Sequence, residues 1–181
     1  MVYGKDRTWL EIDLSVIEEN YRVIKEFIGN QTEIMAVVKA DAYGLGAVAV
    51  SKTLENLACP MFAVACIEEA MELRENGIKA PILTLGPLMP CHVKTAAENG
   101  IEVPLVSLEQ ARKISAAAQS AGVSVKAHIK ADAGLSRFGI VLENRIKDAA
   151  DEAESITKLP YIECVGVFTH YTAADVPLSE E

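Results

Sequence analysis

Short apolar segments, each followed by a segment of helical periodicity, recur along the chain and constrain its fold more than any other feature. Strands that alternate with helices favour βαβ units, because right-handed crossovers set consecutive strands side by side in a parallel sheet. The sequence therefore predicts an α/β fold whose parallel sheet curls towards a (β/α)8 barrel of the TIM type. Six such strands are predicted to begin near Ile34, Phe62, Ile82, Glu102, Val125 and Ile162.

Capping motifs and glycine turns mark the helices between these strands. Ser15 and Glu18 form a Ser-x-x-Glu capping box at the start of a helix that ends at Gly29, and Ser107 begins a helix that runs to Ala121. Two Glu-Asn-Gly motifs, at 75–77 and 98–100, predict helix ends followed by strands. Apolar stripes predict further helices through Val50 to Leu57, Cys66 to Leu73 and Asn144 to Lys158.

The two ends of the chain differ from the repeating units. Residues 9–13, Trp-Leu-Glu-Ile-Asp, alternate apolar and polar side chains, which is typical of a half-buried strand and not of a buried parallel one. A closed barrel has eight strands and takes roughly 200 residues or more. The chain is therefore either an open doubly wound sheet or the front part of a longer protein, and we favour the second. In that case residues 14–181 form an incomplete barrel, and residues 1–13 belong to a different sheet. Residues 175–181 are typical of a loop within a longer protein.

Charge and cysteine content limit the partners. The formal net charge of −9 argues against nucleic acid or an anionic membrane, since both bind basic surfaces. The 4 cysteines form no Cys-x-x-Cys pair and have no His at metal-ligand spacing, so neither a zinc site nor a disulfide framework is indicated. We expect reduced, mostly buried thiols in a cytoplasmic protein. No signal peptide and no apolar run of membrane-spanning length are recognisable.

The segment from Glu33 to Gly46 carries the first candidate functional group. It reads Glu-Ile-Met-Ala-Val-Val-Lys-Ala-Asp-Ala-Tyr-Gly-Leu-Gly, with Lys39 at the predicted carboxyl end of a buried strand. Ligand sites of α/β sheets and barrels lie at that edge. Tyr43 adds a hydroxyl, and the glycines allow a close turn before the next helix. A strand-end lysine is more often a solvated charge, so its function depends on what accompanies it.

Two later strands end in polar groups as well. Lys130 is predicted at the end of one strand, and Arg137 lies in the glycine-flanked loop that follows. Arginine can bind a carboxylate with two parallel hydrogen bonds, although a structural pairing of Arg137 with Asp132 is an alternative. His170 follows the last strand. Since parallel strands end at one edge, we expect these side chains to meet Lys39 there.

Three motifs, in this order and spacing, resemble the alanine racemase family. They are Ala-Val-Val-Lys39-Ala-Asp-Ala-Tyr43-Gly, Lys130-x-Asp-x-Gly-x-x-Arg137-x-Gly and Phe-Thr-His170-Tyr. The resemblance extends from about Trp9 to the end of the chain. It implies a fold-type III enzyme with a pyridoxal 5'-phosphate (PLP)-binding (β/α)8 barrel followed by a β domain. The first strand of that family joins the C-terminal β domain, which would account for the pattern in residues 9–13.

The resemblance also implies a role for each matching residue. Lys39 would be the Schiff-base lysine and one of two catalytic bases, and Tyr43 would bind the cofactor phosphate. Arg137 would contact the phenolic oxygen of the cofactor and the substrate carboxylate. Lys130 matches a position that is often carbamylated, and His170 matches the histidine that lies against the cofactor ring. Leu45 stands where the family commonly has His, so no polar role is expected there.

The implied activity is the PLP-dependent interconversion of L- and D-alanine, which supplies D-alanine for the cell wall, in a cytoplasmic homodimer. The family's second base is a tyrosine from the partner subunit's C-terminal domain. That tyrosine, the arginine facing the pyridine nitrogen and much of the phosphate-binding region have no counterpart in the 181 residues. We therefore expect the chain not to racemise by itself.

Four alternatives remain open at this point. They are a serine-specific racemase, a non-catalytic PLP carrier of the single-barrel type, a fold-type III decarboxylase and a cofactor-free α/β domain. Arg137 and the Tyr-Gly-Leu-Gly loop favour a racemase over a carrier, and decarboxylases usually carry a different lysine motif. Covalent trapping of PLP on Lys39 by borohydride would separate the cofactor-binding alternatives from the last one.

Overall fold

The computed structural model describes residues 9–174, so the predictions for residues 1–8 and for the loop at 175–181 lie outside the described residues. Helices and strands alternate along almost the whole of this range. The helices are α1 Leu14–Ile28, α2 Lys39–Gly44, α3 Ala47–Asn56, α4 Ile67–Glu75, α5 Val93–Glu98, α6 Leu108–Ala121 and α7 Ile146–Thr157. The strands are β1 Met35–Val37, β2 Met61–Val64, β3 Ile82–Thr84, β4 Ile101–Leu105, β5 Val125–Asp132, β6 Ile140–Val141 and β7 Ile162–Phe168.

The strands form one sheet in which every pairing is parallel. Strands β1 to β5 lie side by side in chain order, and β5 pairs with both β6 and β7. The six predicted strands correspond to β1 to β5 and β7, and the parallel α/β prediction is confirmed. The architecture is that of a partial TIM-type barrel. The sequence reading did not predict β6 or the 3-10 turn Pro90–His92, and of the short helix α5 it predicted only the end, at the Glu-Asn-Gly motif.

The core lies on both faces of the central strands, as their continuous apolar runs predict. Every residue of β3 and β4 is buried, including Glu102 in the middle of β4. Leu73 of α4 and Ile114 of α6 are fully buried against the sheet. Edge strand β7 differs, because its residues alternate between half-buried and exposed. Burial therefore decreases from the middle of the sheet towards its edges.

Helix α1 begins at a different cap from the predicted one. The Asp13 carboxylate accepts the backbone N–H of Ser15 at 2.9 Å and its hydroxyl at 2.6 Å. The prediction of a Ser15–Glu18 capping box is wrong, because Asp13 has the extended conformation of an N-cap residue (φ −91°, ψ 102°) and supplies the acceptor. The hydrogen bonds lower the pKa of the Asp13 carboxyl.

The predicted strand over residues 9–13 is not formed. These residues have no regular secondary structure, and no strand in the described part of the chain pairs with them. Trp9 and Leu10 are 78% and 71% exposed. The assignment of this segment to a second domain stays a prediction.

The predicted helix ends are confirmed at the turns. Asn76 follows α4, and its side-chain amide donates to the Glu72 carbonyl oxygen at 2.9 Å. Asn99 follows α5 and makes the equivalent bond to Thr95, also 2.9 Å. The predicted cap of α6 is also confirmed, since the Ser107 hydroxyl accepts a backbone N–H from the first turn.

All four cysteines are free thiols, but only part of the prediction about their burial is right. Cys59 is buried and Cys164 is half-buried, whereas Cys66 and Cys91 are exposed. Cys66 is exposed because it precedes α4 at the edge of the sheet. Within residues 9–174, no helix combines the length and the apolar composition that crossing a membrane requires.

Candidate active site

A cavity of about 450 Å³ opens at the carboxyl edge of the sheet. This volume is within the range of about 300–1,000 Å³ that is usual for small-molecule sites. The five residues singled out from the sequence all lie in its wall. The lining residues are Met35, Val37, Lys39, Tyr43, Ala65, Leu85, Gly86, Lys130, Arg137, Phe138, Phe168, Thr169 and His170.

Lys39 lies just beyond its strand and begins a left-handed turn. Strand β1 ends at Val37, so the prediction that Lys39 is the terminal residue of the strand is wrong by two positions. The next four residues, Ala40 to Tyr43, have φ angles from 50° to 57°. This conformation costs roughly 1–2 kcal/mol for each L-residue. It brings Tyr43 back towards the lysine, whose Nζ lies 5.8 Å from the centre of the tyrosine ring.

Hydrogen bonds within the segment hold the turn from one side. The N–H of Ala42 donates to the Val38 carbonyl oxygen at 2.9 Å. The Asp41 carboxylate accepts the N–H of Ala47, the first residue of α3, at 2.7 Å. The Asp41 carbonyl oxygen accepts the N–H of Gly46 at 2.9 Å. The predicted close turn before the next helix is therefore present, and Asp41 links it to α3.

Glu69 holds the same turn from the other side. One oxygen of its carboxylate accepts the N–H of Ala40 at 2.9 Å, and the other accepts the N–H of Ala65 at 2.7 Å. Ala40 directly follows the lysine, and Ala65 lies in the cavity wall. The sequence reading did not single out Glu69, because nothing local in the sequence connects it to a turn 29 residues earlier.

Lys130 forms a buried part of the cavity wall. Strand β5 continues to Asp132, so Lys130 lies before the strand end and not at it. The residue is 3% exposed, and its Nζ donates to the Ala131 carbonyl oxygen at 2.9 Å. The same Nζ lies 5.3 Å from the centre of the Phe168 ring. Burial lowers the pKa of the Lys130 amine, while nearby Asp132 opposes the shift and Arg137 adds to it.

Arg137 lies in the exposed loop between β5 and β6. Asp132 organises this loop by accepting the N–H groups of Gly134 and Ser136, both at 3.0 Å. These bonds lower the pKa of the Asp132 carboxyl, the one from Ser136 most strongly. No ion pair joins Asp132 to Arg137 within the described residues, so their structural pairing is not observed. The guanidinium carbon lies instead 5.2 Å from the centre of the Phe138 ring.

His170 completes the wall from the end of the last strand. Strand β7 ends at Phe168, so the exposed imidazole stands two residues beyond the strand and does not end it as predicted. Between them, the Thr169 hydroxyl donates to the Ala131 carbonyl oxygen at 2.9 Å. This bond ties the segment that carries His170 to β5.

An acid and a histidine pair inside the sheet below the cavity. Glu102 of β4 and His128 of β5 are 2.5 Å apart, with side chains 11% and 12% exposed. The His128 ring meets the Phe168 ring edge-on, with centroids 6.3 Å apart. A Cβ on Gly166 would fall 2.5 Å from His128 Nδ1, so only glycine fits there. The signal in the sequence was Glu102, the one polar residue of β4, whereas His128 is one of several polar residues in β5.

Further wall residues were also missed from the sequence. Leu85 and Gly86 follow β3 and line the cavity beside Ala65. A Cβ on Gly86 would lie 2.7 Å from the Ala65 carbonyl oxygen, so the backbones approach closely there. Their position directly after a strand was the available signal. Apolar side chains and the cations Lys39, Lys130 and Arg137 together suit a small anionic ligand with a flat ring.

Comparison with known proteins gives a consistent family. The family model "Alanine racemase, N-terminal domain" matches residues 12–181. Alanine racemase 1 of Bacillus subtilis is 39% identical over 168 residues, which are 93% of this chain and 42% of that protein. The chain therefore spans less than half the length of this curated relative.

Solved structures agree with the sequence comparison. The alanine racemase from Bacillus anthracis with bound L-Ala-P superposes with a TM-score of 0.83 at 37% identity, covering 96% of this chain and 44% of that one. A histidine racemase from Leuconostoc mesenteroides superposes with a TM-score of 0.81 at 27% identity, covering 92% and 44% of the two chains. Racemases that are named for different amino acids thus share this fold.

Proposed function

Because the chain belongs to the alanine racemase family, we propose that it forms the cofactor-binding part of a PLP-dependent enzyme that interconverts L- and D-alanine. One observation carries the proposal: the candidate amine, phenol, guanidinium and imidazole line a single cavity at the carboxyl edge of a parallel sheet. The names of the curated relatives favour alanine over serine. One structural neighbour is a histidine racemase, so the preference for the side chain of the substrate amino acid needs a direct test.

The residues in the cavity wall fit PLP. The cofactor has a phosphate, a phenolic oxygen and an aldehyde around a flat ring. Cationic and hydroxyl groups in the wall match the two anionic groups, and an amine matches the aldehyde. Apolar side chains from Val37, Leu85 and Phe168 suit the ring. When bound, PLP supplies an electron sink that makes the α-proton of an amino acid acidic.

Each side chain then has a distinct task. The Lys39 amine would hold the aldehyde, and the Tyr43 hydroxyl would donate to the phosphate. His170 would pack against the ring, and Arg137 would bind the phenolic oxygen and the carboxylate of the amino acid. The proposal draws support from the backbone turn that brings Lys39 and Tyr43 together, and from the exposed, glycine-flanked position of Arg137, which leaves its guanidinium accessible to a ligand.

Lys39 also moves a proton. Beside the α-carbon of a bound amino acid, a free Lys39 amine would remove the α-proton or return it on one face. Racemisation needs a second acid on the opposite face. We propose that this group is a tyrosine of the partner subunit in a longer, dimeric protein, because the chain covers only 42% of a relative's length.

Lys130 fits the role of a carbamylated residue. Its buried amine has a lowered pKa, so a larger neutral fraction is available to attack carbon dioxide. The reaction forms an N–C bond and releases the amine proton, which leaves a carbamate anion. The Arg137 guanidinium repels the protonated form of the Lys130 amine and contributes to its lowered pKa. The carbamate would replace this repulsion by attraction and hold the guanidinium in place.

The remaining assignments concern the whole protein. We propose a cytoplasmic homodimer, since free thiols suit a reducing compartment and no strand of residues 9–174 pairs with the outer edges of β1 and β7. Residues 1–13 would join the sheet of a C-terminal β domain, and 14–181 would form part of the PLP-binding barrel. The strong exposure of Trp9 and Leu10 supports the first of these assignments.

Covalent capture of PLP tests the proposal. The purified chain is mixed with PLP, reduced with borohydride and digested, and the modified peptide is identified by mass spectrometry. We expect visible absorbance of bound PLP and attachment at Lys39. The Lys39→Ala variant should lose the attachment, whereas Lys52→Ala, which removes an exposed lysine from α3, should keep it. Attachment that persists in Lys39→Ala would contradict the assignment.

Activity is measured on the longer protein that contains this chain. We expect deuterium to enter the α-position of both L- and D-alanine in heavy water, and Lys39→Ala to abolish the exchange. Parallel assays with serine and histidine report the substrate preference. The 181-residue chain alone should give no full turnover of either enantiomer. Full turnover by this chain would refute the need for a partner's acid.

A further inference from the structure

We propose that Glu69 is a positioning residue for Lys39. Its carboxylate fixes the left-handed turn that follows the lysine, and thereby fixes where the Lys39 amine stands in the cavity. Glu69 itself is not among the cavity-lining residues, so it acts through the backbone. The inference rests on the proposed function in taking Lys39 as the reactive amine.

The two oxygens of the Glu69 carboxylate join two different parts of the site. The acceptor of the Ala40 N–H, at 2.9 Å, holds the residue next to the lysine. The acceptor of the Ala65 N–H, at 2.7 Å, holds a wall residue at the end of β2. Both donors are backbone groups, so the Glu69 side chain is the only side chain on which the two bonds depend. The carboxylate therefore locks the end of β1 to the end of β2.

Helix capping accounts for only one of these bonds. Glu69 lies in the first turn of α4, where a glutamate commonly reaches back to an N–H at the start of its own helix. The bond to Ala65 is of this kind. Ala40 belongs to another element, 29 residues away, and contributes nothing to the start of α4. The hydrogen bond to Ala40 thus stabilises the turn after Lys39 and not the helix.

The left-handed turn needs a stabilising contact from outside the segment, and Glu69 provides one at Ala40. Four consecutive L-residues with positive φ are unfavourable by themselves and persist only where the surroundings fix them. Ala40 is the first of the four, is exposed and has no polar side chain, so only its backbone groups can hold it by hydrogen bonds. Glu69 accepts the hydrogen of its N–H group.

The position of the Lys39 amine follows from this turn. The turn sets Lys39 Nζ 5.8 Å from the centre of the Tyr43 ring in the same cavity. If Ala40 relaxed towards right-handed φ, the chain would leave the strand in another direction and the two side chains would separate. Misplacing a reacting group by about 1 Å can lower a rate by about 100-fold.

Substitution of Glu69 tests the proposal in the chain with PLP as the probe. The variants are Glu69→Ala, which loses both hydrogen bonds, and Glu69→Gln, which keeps the size of the side chain and one acceptor oxygen. Glu72→Ala is the matched control, because Glu72 is an exposed acid on the same helix. Three quantities are measured: the rate of borohydride-trapped attachment at Lys39, amide hydrogen exchange at Ala40, and the thermal midpoint of unfolding.

We expect Glu69→Ala to slow attachment by about tenfold or more, the equivalent of one lost hydrogen bond to a charged group. Its Ala40 amide should exchange faster, Glu69→Gln should fall between the two, and Glu72→Ala should match the wild type. Rates are compared at a temperature where all variants are folded. Attachment at the wild-type rate in Glu69→Ala, or an equal loss in Glu72→Ala, would overturn the proposal.

A failure of the proposed function would look different. In that case the wild-type chain itself attaches no PLP. The positioning role is then decided by amide exchange at Ala40 and by acetic anhydride labelling of Lys39, neither of which needs the cofactor. Unchanged exchange and labelling in Glu69→Ala would overturn it, whereas a change of several-fold in both would support it.

Discussion

Two cation-bearing segments of the cavity wall are held in different ways. The turn with Lys39 is tied to the helix after it through Asp41 and to the neighbouring strand end through Glu69. The loop with Arg137 is tied at its base, where Asp132 accepts two backbone N–H groups. Lys39 is half-buried and Arg137 is exposed.

This difference matches what each group has to do in the proposed reaction. An amine that reacts with one atom of a cofactor must be fixed closely, and the strained turn is held on both sides. A guanidinium that binds a carboxylate arriving from solvent benefits from a loop that is fixed only at its base. Substitutions in the strained turn should therefore destabilise the protein strongly, whereas the loop should tolerate substitutions except at its base.

The two segments should differ most in the stability that each loses when a β-branched residue is introduced. Ala42 is 4% exposed with φ of 51°, and valine is both too large and unfavourable at positive φ. We expect Ala42→Val to lower the free energy of unfolding by about 3 kcal/mol in urea titrations. Ser136 also has positive φ, 58°, but is exposed. Ser136→Val should cost less than half as much, and equal losses would contradict the comparison.

For glycine substitutions we expect the opposite order, with a larger loss of stability in the loop with Arg137 than in the turn with Lys39, because the base of the loop is tightly packed. A Cβ on Gly139 would lie 2.8 Å from the Lys130 carbonyl oxygen, whereas a Cβ on Gly44 would meet no heavy atom within 4 Å. Both residues have positive φ. We expect Gly139→Ala to cost about 2–3 kcal/mol and Gly44→Ala about 1 kcal/mol of unfolding free energy. A larger loss at Gly44 would mean that the loop base can adjust.

Removing the carboxylate of Asp132 or of Asp41 compares how strongly each stabilises its segment. Asp132→Ala deprives two N–H groups of their acceptor and should lower Tm by several degrees at pH 7, whereas Asp41→Ala, which loses one such bond, should lower it by about half as much.

The effect of Asp132 also has a predictable pH dependence. Its folded pKa lies below the unfolded value of about 3.9, so its stabilisation is complete above that pH and is lost as pH falls through the folded value. The Tm difference between the wild type and Asp132→Ala should therefore shrink in acid. A difference that stays constant down to pH 2 would contradict this account.

The smallest change in Tm is expected for substitution of Lys130. Its folded pKa lies below the unfolded value of about 10.4, so the protonated amine destabilises the fold at neutral pH, and stability rises with pH between the two values. In buffer depleted of carbon dioxide, Lys130→Met should raise Tm by a few degrees at pH 7, and the gain should vanish near pH 10. Lys126→Met, at an exposed position of the same strand, should change little. A gain that is independent of pH would point to packing instead of charge.

Much of the fold was predictable because it depends on local patterns. Apolar runs of strand length, helical stripes and Asn-Gly turns identified the six main strands and the helices between them. Ser107 was a correct cap, whereas Asp13 replaced Ser15 because two good cap residues stood two positions apart. Strand β6 and the 3-10 turn before α5 were missed, since segments of two and three residues leave little periodicity to detect.

The candidate site was predictable in its residues but not in its geometry. Lys39, Lys130 and His170 were expected at strand ends, yet the first and last lie beyond their strands and Lys130 lies within one. The extent of a strand depends on its pairing: β5 continues to Asp132 because β6 pairs with its end. Pairing between distant segments cannot be inferred from one segment alone.

The sequence by itself determined that this chain alternates strands and helices, and which polar side chains follow the strands, because hydrophobic periodicity and turn residues act locally. Only the tertiary structure decided the hand of the turn after Lys39. Alanine favours right-handed helix when free, and Ala40 and Ala42 are left-handed here. A carboxylate from another helix and a buried methyl site outweigh that preference, and both exist only once the sheet has formed.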